Sequence, residues 1–153
     1  MDSTPGKTAF NHMMHVGIVV KDMEQAVKRL TELGIGPFKP RILPPDAKEK
    51  FRGKPFFPSE RETIQIAQMG NMELELIQPL DGESPHKEFL DARGEGIQHL
   101  GFIVNNLDQE VHNLTEKGSS VVLTSQFKNG GGVAYIDLEV GGLIVELVQP
   151  ASR

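Results

Sequence analysis

HVGIVVKDMEQAVKRLTELG (residues 15–34) returns as HLGFIVNNLDQEVHNLTEKG (99–118), identical at nine of twenty positions and opening each time on a histidine. In both copies the first six residues alternate as a strand does. Val16, Ile18 and Val20 share one face while His15, Gly17 and Val19 share the other, and Leu100, Phe102 and Val104 oppose His99, Gly101 and Ile103. The remainder reads as a helix. Asp22 and Asn106 are N-cap types with Gln25 and Gln109 three residues on, and Gly34 and Gly118 stand at the C-terminal stops. Met23, Val27 and Leu30, matched by Leu107, Val111 and Leu114, form the apolar stripes that pack each helix on the bulky strand face. The histidine faces must then point the opposite way, toward a concave side of the sheet.

A second echo follows the first. ELIQP (75–79) reappears as ELVQP (146–150), so each half begins with a strand histidine and ends with a strand glutamate. Strands are expected near Thr63–Gln68 and Met72–Gln78 in one half, and at Ser120–Leu123, Val133–Leu138 and Leu143–Val148 in the other. The unit is βαβββ, used twice: a first module over 12–80, a linking helix over 84–94 capped by Ser84 with Pro85 at its first position, and a second module over 97–150. An ionised glutamate amid valines and leucines in a strand is costly without a partner. A pseudo-twofold packing of the halves would bring His15, Glu75, His99 and Glu146 to one point, the donor set of a first-row divalent metal. Glu73 has the same facing as Glu75, and the match between the two echoes selects Glu75. Of the other histidines, His86 and His112 read as exposed helical positions, and His12 has strand parity opposite to His15.

Composition sets the outer limits. At 153 residues the chain suits one domain of two small modules sharing a core. With no cysteine, any metal must sit on nitrogen and oxygen. No apolar run is long enough to span a bilayer and MDSTPGKTAF lacks a signal-peptide core, so a cytoplasmic protein without membrane attachment is expected. A net charge of −5 argues against nucleic-acid binding. The charge is uneven. Between Gly36 and Arg61 lie Lys39, Arg41, Lys48, Lys50, Arg52, Lys54 and Arg61 against Asp46, Glu49 and Glu60, together with six of the ten prolines and Phe38, Phe51, Phe56 and Phe57. This reads as a long, stiff loop, either a lid or binding loop or a solvated excursion or dimer contact. Exposed outer sheet edges would suit a homodimer.

The duplicated pattern, HVGIVV, ELELIQPLDGESPHKEFLDARGEGIQHLGFIV and GGLIVELVQP together resemble the vicinal oxygen chelate superfamily of glyoxalases, bleomycin-resistance proteins and dioxygenases. Within it the chain is most similar to the methylmalonyl-CoA epimerases, over nearly its whole length from His15 to Pro150. The resemblance implies an α+β fold in which tandem βαβββ modules form a curved mixed sheet, an open barrel around a metal site with the helices outside. It implies one divalent metal ion (Co, Ni, Mn or Zn) on His15, Glu75, His99 and Glu146, and an acyl-CoA or other thioester substrate whose α-proton is removed on one face and returned on the other.

For the base, the epimerase pattern places a carboxylate on the early strand of the first half; the matching stretch here, ERETIQIAQ, offers Glu62 and Gln65. Glu146, or a Glu75 displaced from the metal, is the other carboxylate able to take that role. The basic loop, with Lys50, Arg52 and Lys54, would bind the phosphates of a CoA group or a smaller anion. Two rival functions fit the same residues: a glyoxalase I-like lactoylglutathione lyase, and a non-catalytic protein that sequesters a drug or metabolite. Dioxygenase chemistry fits less well, because a second carboxylate occupies a position needed for substrate or oxygen.

Overall fold

The structure, a computed structural model, describes residues 8–44, 46–57 and 61–152. The N-terminal residues 1–7, which carry most of the segment read above for a signal peptide, and Pro45, Pro58 and Glu60 of the basic stretch lie outside the described residues. In chain order the elements are β1 (Met13–Val19), α1 (Met23–Glu32), β2 (Lys39–Pro40), β3 (Lys48–Phe51), β4 (Lys54–Phe56), β5 (Glu62–Met69) and β6 (Met72–Pro79). There follow α2 (Pro85–Arg93), β7 (Gly96–Ile103), α3 (Leu107–Glu116), β8 (Ser120–Gln126), β9 (Gly132–Asp137) and β10 (Ile144–Gln149). The ten strands of the described residues form one sheet in the order β2-β5-β6-β1-β7-β10-β9-β8-β3-β4.

The two copies of the opening repeat meet at the middle of this sheet. β1 and β7 pair antiparallel with Val16 opposite Leu100, and each pairs parallel on its outer side with the last strand of its own half, β6 or β10. α1 and α3 each cover their own half. Met23, Val27 and Leu30 of α1 pack on Ile18, Val20, Leu74 and Leu76, and Leu107, Val111 and Leu114 of α3 pack on Leu100, Phe102, Val104 and Leu147. Burial of these stripes is the main force holding the helices to the convex side, since helices of ten residues are marginal alone.

The N-termini of α1 and α3 are secured identically. Asp22 Oδ1 accepts from the Gln25 N–H at 3.0 Å and Asn106 Oδ1 from the Gln109 N–H at 3.1 Å. A second acceptor comes from the strands: Gln78 Oε1 takes the Met23 N–H and Gln149 Oε1 the Leu107 N–H, each at 2.8 Å. The glutamine of the ELxQP echo is therefore a helix cap delivered from the neighbouring strand.

The basic stretch departs from the expected loop. β2 extends the first half's edge by pairing with β5, whereas β3 pairs with β8 at the far edge of the second half and folds back as the hairpin β3–β4. Phe51 and Phe56, read from sequence as loop aromatics, are buried against Leu123 and Tyr135. This crossing forces the sheet to curve. Eight strand spacings separate β2 from β3, about 38 Å if flat, but the chain from Pro40 to Lys48 reaches about 28 Å at full extension. The two wings must close toward each other, and the strap between β2 and β3 spans the gap. Among the described residues, no helix is long and apolar enough to cross a membrane.

Candidate metal centre and adjoining cavity

The antiparallel register of β1 and β7 sets His15 opposite Gly101 and Gly17 opposite His99. Each imidazole therefore leans over the glycine of the other half. A Cβ on Gly17 would stand 2.0 Å from His99 Cε1, and one on Gly101 would stand 2.2 Å from His15 Cε1. The parallel pairings complete the pattern: Glu75 lies beside Gly17 and Glu146 beside Gly101. Two bare glycine surfaces thus form the floor on which two histidines and two glutamates converge.

All four groups are buried, and one ligand atom from each lies within 4.8 Å of the others. His15 Nε2 is 3.0 Å from His99 Nε2 and 2.7 Å from Glu146 Oε2; His99 Nε2 is 3.0 Å from Glu146 Oε2 and 3.5 Å from Glu75 Oε1. Donors about 2.1 Å from one ion would sit about 3 Å apart at right angles and about 4.2 Å apart on opposite sides. The observed set is within well under an ångström of those separations. Two ring nitrogens facing each other at 3.0 Å, with two carboxylates, suit a divalent cation of the first transition row. The charge balance points the same way. Burial opposes a charged imidazole, yet the hydrogen bonds and charges of Glu146 and Glu75 push His99 up to about 9. Burial likewise opposes both carboxylates, but His15 and His99 hold Glu146 well below the usual range and lower Glu75 as well. The pocket is built to attract positive charge.

Glu73 and Glu75 differ in their partners. Glu73 lies opposite His15 but turns to Arg41, whose Nη2 is 3.1 Å from its Oε1; Arg41 Nε is 2.8 Å from Glu75 Oε2. Arg41 therefore holds the outer oxygen of Glu75 while the inner oxygen faces His99. Burial opposes its charge, but these carboxylates outweigh it and raise its already high pKa.

A cavity of about 70 Å³ adjoins the cluster, lined by Glu75 and Glu146 from the cluster, by Arg41 and Pro44 from the strap, and by Glu49, Glu62, His86 and Tyr135. Glu62, expected as a catalytic carboxylate, is buried and faces this cavity. Gln65 does not: it shares the β5 face of Thr63 and Ala67, opposite to Glu62 and Ile64. Lys50, Arg52 and Lys54 are exposed residues of the β3–β4 hairpin that do not line the cavity, and Arg52 pairs with Glu88 at 2.5 Å. His12 is exposed, and His112 is an exposed partner of Glu116.

His86 corrects the sequence reading. Expected on an exposed helical surface, it is 1 % exposed, with Nδ1 bonded to Glu62 and Nε2 3.2 Å from the Tyr135 hydroxyl. Its signal was present in SPHKEFL: His86 stands three and four residues before Phe89 and Leu90, on the face of α2 turned to the sheet. Tyr135 carried no such signal, because an aromatic residue in an apolar strand is normally core. Burial, followed by the charges of Glu146 and Glu75, pushes its hydroxyl pKa well up.

Known proteins share this fold. A family model of the Glyoxalase/Bleomycin resistance protein/Dioxygenase superfamily matches residues 14–136. The mitochondrial methylmalonyl-CoA epimerase of Bos taurus is 29% identical over 140 residues, covering 88% of this chain and 72% of that protein. The uncharacterized protein YqjC of Bacillus subtilis is 33% identical over 96 residues, 60% of this chain and 69% of its own. Among solved structures, methylmalonyl-CoA epimerase from Mycobacterium tuberculosis superposes with a TM-score of 0.71 at 25% identity, covering 95% of this chain and 92% of that one. By the family model and the shared fold, this chain belongs to the glyoxalase/bleomycin resistance/dioxygenase, or vicinal oxygen chelate, superfamily.

Proposed function

We propose that the protein is a metal-dependent epimerase that exchanges the proton α to the carbonyl of a carboxyacyl thioester, as methylmalonyl-CoA epimerases do. The observation that carries this reading is the presence of Glu62 and Glu146, from opposite wings of the sheet, on the walls of one cavity beside the four-donor cluster. Epimerisation needs a proton carrier on each side of a planar carbon, and two carboxylates on separate walls can serve as that pair. His15, Glu75, His99 and Glu146 would hold the ion. When bound, a divalent cation supplies the positive charge that makes a carbon acid beside a carbonyl more acidic. One of the two, as the carboxylate, then takes the α-proton and becomes the acid, while the other, already protonated, gives its proton to the opposite face and becomes the carboxylate.

The cavity suits the acyl head rather than the whole ligand. At roughly 10–15 Å³ per water-sized occupant, about 70 Å³ admits only a few heavy atoms, so a CoA moiety would lie outside, within reach of the basic hairpin carrying Lys50, Arg52 and Lys54. The same volume is well below the roughly 300 Å³ of pockets that enclose drug-sized molecules, which disfavours the sequestering reading. Support also comes from the relatives at 25–29% identity, which are methylmalonyl-CoA epimerases, and from a structural neighbour solved in complex with methylmalonyl-CoA.

One observation favours a second reading. Glu75 and Glu146 occupy equivalent places beside Gly17 and Gly101, a near-symmetric pair that also suits a glyoxalase-like lyase. The test is α-proton exchange. Metal-loaded protein in D₂O should place deuterium at the α-carbon of methylmalonyl-CoA; absence of exchange, with turnover of a glutathione hemithioacetal, overturns the epimerase reading in favour of the lyase.

A further inference from the structure

We propose that His86 is a positioning residue for Glu62, an assignment that rests on the proton-abstraction reading above. Glu62 from β5, His86 from α2 and Tyr135 from β9 form one chain of buried contacts on the cavity wall. A carboxylate only accepts, so the hydrogen between His86 and Glu62 sits on Nδ1; in the neutral ring Nε2 is then an acceptor and receives the Tyr135 hydroxyl. Both ring nitrogens are thereby satisfied, the tautomer is fixed, and one oxygen of Glu62 is held while the other is left for the cavity.

Three observations separate this group from ordinary packing. The chain joins strands five places apart in the sheet, so it exists only because the wings close on each other. It has no counterpart in the repeat. Glu75 pairs with Ile66 as Glu146 pairs with Tyr135, so Ile66 is the equivalent of Tyr135, and the equivalent of Glu62, four residues before each, is Gly131. A symmetric fold has here acquired a polar group on one wall only. Finally, burying a carboxylate and an imidazole carries a desolvation cost that apolar side chains of similar size avoid, so the fold alone does not call for them. A second carboxylate on the cavity wall needs a fixed direction, since a reacting atom misplaced by an ångström costs about a hundredfold in rate.

The test pairs three variants with a spectroscopic readout. His86→Asn keeps an N–H where Nδ1 stands but cannot reach Tyr135; His86→Leu keeps neither contact; Tyr135→Phe removes only the hydroxyl. With metal-loaded protein and methylmalonyl-CoA, His86→Leu should lower kcat about a hundredfold, with KM within threefold and metal content unchanged. His86→Asn should recover to within tenfold of wild type, and Tyr135→Phe should lose less than His86→Leu. Independently of turnover, ¹⁵N-imidazole spectra should show His86 as the Nδ1–H tautomer, with a downfield proton that disappears in Glu62→Ala. An Nε2–H tautomer, equal losses in His86→Asn and His86→Leu, or wild-type kcat in His86→Leu would each overturn the proposal. The expected tautomer in a protein that exchanges no α-proton would support the positioning and overturn the reaction class instead.

Discussion

The imidazole of His99 rests on the bare α-carbon of Gly17, so the glycine two residues after the first histidine is the seat of the second. The reciprocal contact, His15 on Gly101, makes His-x-Gly a single reciprocal device. Gly17→Ala or Gly101→Ala should displace the facing ring, because the added carbon would stand 2.0 or 2.2 Å from it. Each is expected to cost about 1–3 kcal/mol of stability and to weaken cobalt binding at least tenfold. Thermal melts and metal titration, with His99→Ala for comparison, check both effects.

If the four-donor cluster holds an ion, metal should stabilise the fold. At a free cobalt concentration a hundred times Kd the gain is about 2.7 kcal/mol, or roughly 5–10 °C in Tm for a chain of this size. His15→Ala and His99→Ala should abolish the shift, whereas Glu75→Gln, which keeps an oxygen donor, should retain part of it. Differential scanning calorimetry with and without chelator measures this directly.

The strand-borne caps make a separate prediction. Gln78→Leu and Gln149→Leu each remove the acceptor for one helix N–H at 2.8 Å, Met23 or Leu107. Each should cost about 1 kcal/mol, and their effects should add, because they cap different helices. Metal affinity should be unchanged, which equilibrium dialysis would establish.

Glu49, on the wall of the cavity it shares with Glu62 and Glu146, gives a pH dependence. Burial, and after it the charges of Glu62 and Glu146, push its carboxyl up to about 7. A carboxyl that holds its proton more tightly when folded adds stability at low pH, and that stability is lost as pH rises from its ordinary range through about 7. Glu49→Gln removes the charge that forms. Metal-free variant and wild type should melt together near pH 4.5, while at pH 8 the variant should melt roughly 2–4 °C higher. That is about 1 kcal/mol, discounted because the residue is only half-buried.

Much of this is legible in the sequence alone. The repeat at 15–34 and 99–118 located both strand–helix units and their apolar faces, and ELIQP against ELVQP picked Glu75 from its neighbour Glu73. Those features are local or duplicated: strand and helix periods follow from chain geometry, and a polar residue kept twice on an apolar face marks a shared purpose. Register supplied the mechanism of convergence, by setting each histidine over the opposite glycine.

What could not be read from the chain is what the unduplicated segments do. The stretch from Lys39 to Phe56 contributes strands to both edges of the sheet, although its prolines and charges have the composition of a loop. His86 is drawn inward because curvature brings Glu62 and Tyr135 within reach of its two ring nitrogens. Such contacts join residues far apart in sequence with no repeat to announce them, and their energy comes from closure of the whole sheet rather than from any local pattern.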